Sequence, residues 1–195
     1  MENQNIYLPP RLELKIDLTD EQFWQLCQEN DDLRFEKSAT GELIIMSPTG
    51  SITGERNSEL NFQLRAWNRQ KNLGKVFDSN SGFKLPNGAE RSPDSSWISN
   101  QRWDTLTLEE QDKFAPLCPD FVVELMSPSD TLEKTRAKMR EYIGNGAKLG
   151  WLINRKKRQL EIYRPQQDVE ILENSQTVSG ENILPGFILD LTLIW

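Results

Sequence analysis

The order of apolar and polar residues changes period several times along the chain, and each change marks an element. Thr19-Asp20-Glu21-Gln22 precedes Phe23, Trp24, Leu26 and Cys27, a capping sequence that opens a short, peripheral amphipathic helix. Apolar runs at 33–35 and 43–46 flank Ser38-Ala39-Thr40-Gly41, where glycine supplies the positive φ of a β-hairpin turn. Pro48-Thr49-Gly50 ends the hairpin. Leu60, Leu64 and Trp67 recur at spacings of four and three, and Phe62 and Ala66 widen the stripe. This predicts a helix over about 54–72, stopped by Gly74. Short β-type pieces follow at 75–78, 82–85 and 95–99, separated by Asn80-Ser81-Gly82 and Pro86-Asn87-Gly88 turns.

The segment 121–126 is a continuous apolar run broken only by Glu124, the pattern of a strand covered on both faces. Asp130 and Glu133, three apart, predict a capping box for a helix whose inner face is Leu132, Met139, Tyr142 and Ile143, closed by Gly144-Asn145-Gly146. A strand at 150–153, a basic turn at 155–158 and an alternating strand at 160–163 come next, with further β-type pieces at 169–172 and 188–195. The expected class is α/β, of the mixed α+β kind: a sheet with helices packed on it, preceded by an N-terminal helix and hairpin.

A chain of 195 residues fits one domain, 1–195, with a single sizeable core. At 36% apolar and 27% charged residues it has too much core material for a disordered tail and too little for a membrane protein. Met1-Glu2-Asn3-Gln4-Asn5 lacks the character of a signal peptide, so a cytoplasmic location without membrane contact is expected. The two cysteines, Cys27 and Cys118, are too few for a disulfide framework or a four-thiolate zinc site.

The absence of histidine removes Ser-His-Asp and Cys-His catalysis, His-ligated zinc and imidazole bases. Carboxylates and lysines remain, with an oxygen-bound metal as their natural third member. The net charge of −7 argues against nonspecific coating of nucleic acid, but residues 133–158 hold nine bases against two acids. That strip suits a polyanion approaching one face, although a solvated helix and turn would look the same.

An acid inside an apolar strand costs several kcal/mol, so Glu124 needs a compensating partner on the face it shares with Val122 and Met126. Asp94 follows Pro93 at the start of the 95–99 strand. Two acids at the ends of adjacent strands can share Mg²⁺, with the Leu125 carbonyl as a further ligand. Lys138 stands two turns into the next helix, and helical side chains lean toward the N-terminus, so its ammonium can reach back to the end of the Glu124 strand.

Pro93-Asp94, Glu124-Leu125-Met126 and Lys138 together resemble the PD-(D/E)XK nuclease superfamily. Arg91-Ser92-Pro93-Asp94, Pro119 to Leu125, Ser127-Pro128-Ser129-Asp130, Lys138-Met139-Arg140-Glu141-Tyr142, Gly150-Trp151-Leu152-Ile153 and Leu184-Pro185-Gly186-Phe187 resemble, more closely, a large bacterial family of putative restriction endonucleases. The resemblance implies a restriction-endonuclease-like core, a homodimer, and DNA hydrolysis assisted by Mg²⁺ or Mn²⁺. It assigns Asp94 and Glu124 to the metal, beside the Leu125 carbonyl read above, and Lys138 to the lysine role, since Met126 stands where the superfamily lysine would. Glu59 matches an acid that related nucleases place near the metal, with Glu55, one turn away, as the alternative. Pro119-Asp120, four residues before Glu124, is rejected as the motif aspartate. The rival reading is a catalytically degenerate nuclease fold that binds nucleic acid or assembles with partners without turnover.

Overall fold

The computed structural model describes residues 11–46 and 48–195; the opening Met1-Glu2-Asn3-Gln4-Asn5 lies outside them. In chain order the elements are β1 (Arg11–Lys15), α1 (Asp20–Glu29), β2 (Arg34–Lys37), β3 (Glu42–Met46), α2 (Ser51–Lys71), β4 (Gly74–Asp78), β5 (Phe83–Lys84), β6 (Glu90–Arg91) and β7 (Ser95–Ser99). They continue with α3 (Asn100–Trp103), α4 (Leu108–Asp112), β8 (Phe121–Leu125), α5 (Leu132–Gly144), β9 (Leu149–Asn154), β10 (Gln159–Tyr163), β11 (Glu170–Glu173), β12 (Thr177–Ser179) and β13 (Ile188–Asp190).

A six-stranded mixed sheet, β11-β10-β9-β8-β7-β4, forms the centre, with β8 and β9 parallel and its other neighbouring pairs antiparallel. The parallel pair is possible because α5 makes the crossover between its strands. Strand alternation decides what each face buries. Phe121, Val123 and Leu125 of β8 pack with Leu60, Leu64 and Trp67 of α2 and with Leu184, Phe187 and Leu189 near the C-terminus. Val122 faces the other way, into a core shared with Met139 and Tyr142 of α5 and with Phe83, Leu85 and Cys118. A smaller cluster around Phe23, Phe35 and Leu43 joins α1 to the five-stranded sheet β1-β3-β2-β6-β5. Each fully buried large apolar side chain contributes ~1.5–3 kcal/mol, so helices on both faces hold β8 fixed.

Three local readings need correction. Helix α2 begins at Ser51, not near 54, and its stop is Asn72 in the left-handed region (φ 51°). Gly74 instead opens β4, where a Cβ would lie 2.1 Å from the Ile98 carbonyl oxygen. The N-cap of α5 is Thr131, because the Asp130 carboxylate is taken by the Ser127 amide at 2.7 Å. The 188–195 piece is a strand only to Asp190 and then a 3-10 turn, Leu191–Leu193. Among the described residues no helix is long and apolar enough to cross a membrane.

Candidate active site

Strand β7 runs antiparallel to β8 and pairs Ser95 with Val123, which brings Asp94, just before β7, to the end of β8 that carries Glu124. The Leu125 amide donates to Asp94 Oδ2 at 2.8 Å, tying the two motifs together. Asn57 of α2 donates to Asp94 Oδ1 at 3.1 Å, and Asn61, one turn on, donates to the Asp94 carbonyl, also at 3.1 Å. Burial raises the Asp94 pKa above the ordinary value, against the pull of the Leu125 amide, Lys138, Arg34 and Asn57.

Glu124 lies on the α5 side of the sheet and is 8% exposed. Its Oε1 accepts from Tyr142 Oη at 2.9 Å and sits 2.8 Å from Lys138 Nζ. Lys138 and Tyr142 are one helical turn apart, so one face of α5 supplies both contacts. The same ammonium donates to Glu36 Oε1 at 2.7 Å. Glu36 in turn accepts from Arg91 Nη1 (3.3 Å) and the Ser92 amide (3.0 Å), and Arg91 Nε reaches Glu141 at 2.6 Å.

One lysine thus serves two buried acids with opposite results. For Glu36 burial is outweighed by Lys138, Arg91 and the Ser92 amide, and its pKa falls to about 2. For Glu124 burial prevails over Lys138, Asp94 and Glu36 add like-charge repulsion, and its pKa climbs to about 7. Lys138 itself is raised, since Glu124 and Glu36 outweigh burial, so it is protonated at neutral pH and acts as a cation and donor rather than a base.

A cleft of about 950 Å³ opens here, lined in part by Arg34, Asp94, Glu124, Leu125, Ser129 and Lys138. It also touches Ser51 and Thr131, at the starts of α2 and α5. Neither helix has a side-chain N-cap hydrogen bond, which leaves N–H groups and the positive dipole end available to an anion.

The donor set fits a hard divalent ion. Glu36, Asp94, Glu124 and Glu141 face Lys138 and Arg91 through linked contacts, with Arg34 acting on Asp94 as well, four carboxyl groups against three cations. Glu124 Oε2 makes no hydrogen bond among the described residues, and the Asp94 oxygens retain lone pairs. No group of three or more His, Cys, Asp or Glu in metal-binding arrangement exists among the described residues, but Mg²⁺ typically takes one or two carboxylates and fills the rest with water. Because Glu124 must lose a proton to serve as a ligand, Mg²⁺ affinity should rise with pH up to about 7, steepest below it at ~10-fold per pH unit, and level off above. Calorimetric titration between pH 5.5 and 8.5 checks this; a flat affinity would contradict it.

The structure therefore brings Asp94, Glu124, Leu125 and Lys138 to one cleft. It does not bring Glu59, which accepts from Gln63 at 2.9 Å while Gln63 bonds the Asp190 backbone. Asn57 and Asn61 are the α2 residues that reach Asp94. Asp120 stands at the opposite end of β8, held by Arg102 (3.1 Å) and Lys148 (2.8 Å). Sequence reasoning gave no role to Glu36, Arg91, Glu141 or Tyr142. The last three lie within the quoted motifs, and Tyr142 was readable as the i+4 neighbour of Lys138.

A family model described as Uma2, putative restriction endonuclease, matches residues 20–192. The chain belongs to that family. Among solved structures it is similar to a putative nuclease of DUF820 from Anabaena variabilis ATCC 29413, with TM-score 0.74 and 20% identity over 91% of this chain and 97% of that one. That likeness shows that the two chains share a fold. No curated protein matches.

Proposed function

We propose that this Uma2 chain is a metal-dependent endonuclease that hydrolyses DNA phosphodiester bonds. The observation that carries the reading is the meeting of Asp94, Glu124 and Lys138 in one cleft. When bound, Mg²⁺ or Mn²⁺ would lower the pKa of a water and offset charge on the phosphate. Asp94 and Glu124 would hold that ion, and the Leu125 carbonyl would be the third protein ligand. The Asn57 and Leu125 hydrogen bonds fix the Asp94 carboxylate, which limits reorganisation during the reaction. Lys138, protonated and pinned between Glu36 and Glu124, has one N–H left to offer an attacking water or a phosphate oxygen. Met126 has no polar head to compete for this place, and its amide is spent on the Ile153 carbonyl at 3.0 Å.

One cleft cuts one strand, so double-strand cleavage calls for two copies, and a homodimer is the expected assembly. The test is nicking of supercoiled plasmid by purified protein. Mg²⁺ or Mn²⁺ should support it and EDTA abolish it. Tight DNA binding with no turnover under any divalent ion would favour the non-catalytic module instead.

A further inference from the structure

The cations of 133–158 divide into two sets. Four of the five on or beside α5 are neutralised within the molecule: Lys134 by Glu13, Arg136 by Glu161, Lys138 by Glu36 and Glu124, and Lys148 by Asp120; Arg140, exposed, stands alone on the helix with no ion pair among the described residues. Arg155, Lys156, Lys157 and Arg158 form no ion pair among the described residues. Lys156, Lys157 and Arg158 are exposed, and Arg155 Nε is buried without a hydrogen-bond partner. A 3-10 turn, Arg155–Lys157, closed by Arg158 in the left-handed region (φ 47°), packs these four charges into one bend.

The parallel register fixes where that bend lies. Leu125 faces Ile153, and the Met126 amide donates to the Ile153 carbonyl. The turn starts two residues later, at the sheet end that carries Glu124. With strands ~4.8 Å apart and ~3.3 Å per residue, its first cation stands within roughly 10 Å of the Leu125 backbone. The chain carries −7 overall, hence −11 without these four cations, so a polyanion is repelled by most of the surface and drawn to this point.

We propose that the 155–158 turn grips the phosphate backbone of duplex DNA beside the cleft and sets the side from which the duplex enters. The proposal rests on the endonuclease reading and adds the element that docks its substrate. Duplex DNA carries one charge per ~1.7 Å of axis, dense enough for all four cations to meet phosphates at once.

The experiment is fluorescence anisotropy with a labelled duplex in EDTA, where binding is read without turnover, at several salt concentrations. The full chain is compared with a Lys156→Gln/Lys157→Gln/Arg158→Gln variant and with a Lys134→Gln/Lys148→Gln control that removes two internally paired cations. The triple variant should bind at least about 10-fold more weakly at low salt. Its slope of log affinity against log salt should be shallower by about 2–3, one per lost phosphate contact. The control should keep the wild-type slope, and the triple variant should melt like the wild type. Equal binding by the triple variant, or an equal loss in the control, would overturn the inference while plasmid nicking by the wild type still upheld the nuclease reading. Absence of both wild-type binding and nicking would overturn both.

Discussion

Replacing Asp94 by Asn or Glu124 by Gln is expected to lower Mg²⁺-dependent DNA cleavage by about 10³-fold or more without loss of the fold. On the proposed mechanism several kcal/mol of transition-state stabilisation would depend on an ion held by these acids, and each 1.36 kcal/mol is a factor of ten in rate. Stability should move the other way or not at all. Both acids have raised pKa values because burial disfavours their charged forms, so each carboxylate costs folding energy at neutral pH and a neutral amide of the same shape relieves it. The amide at 94 can still accept from the Leu125 N–H, and Lys138 keeps Glu36. Activity lost at an unchanged or higher melting temperature is the signature of a site built at the expense of stability. Initial rates on supercoiled plasmid, paired with thermal melts, measure both. Variants that cleave at the wild-type rate would remove these residues from the chemistry.

Glu36→Ala carries the opposite signature. Glu36 is 1% exposed and accepts from Lys138, Arg91 and the Ser92 amide. Its removal takes one of the two carboxylate partners from each of Lys138 and Arg91 and leaves the Ser92 amide unpaired, a loss of ~3–5 kcal/mol. For a chain of this length that is about 6–20 °C in melting temperature. The sign with pH follows from its lowered pKa. The contribution is complete above the ordinary carboxylate range, near 4.5, and is lost as pH falls toward about 2, so the gap between wild type and variant should close in acid. Thermal denaturation at pH 7 and pH 3 tests this, and a difference below about 1 kcal/mol at pH 7 would show that the network does not hold the site. Cleavage should fall too, because Glu36 joins Lys138 to the Arg91-Ser92-Pro93-Asp94 segment.

The central sheet was legible because β8 and β9 are apolar runs and β10 alternates, and because α2 and α5 carry stripes at helical spacing. The N-terminal sheet was less so. Strands β2 and β6 bury Glu36, Lys37, Glu90 and Arg91, and charged residues read as surface in one dimension unless their partners are known. Strand β1, with Leu12 and Leu14 alternating with charged residues, carried a usable period-2 signal that went unread.

The same contrast holds at the site. Glu124 was visible as the one acid in an apolar strand, and Lys138 through the lean of helical side chains. Glu36 lies 102 residues from Lys138, and nothing local marks it. Glu59 was misplaced by geometry that could have been applied. Asn57 and Asn61 are four apart and share a face, whereas Glu59, two residues from each, points about 200° around the helix.

Anomalous scattering from crystals soaked in Mn²⁺, measured at the manganese edge, tests the cation site most directly. The expected result is a peak between the Asp94 and Glu124 carboxylates, about 2.1–2.2 Å from an oxygen of each, with Lys138 still at Glu36. A map with no peak there, or with manganese bound only elsewhere on the surface, would contradict it.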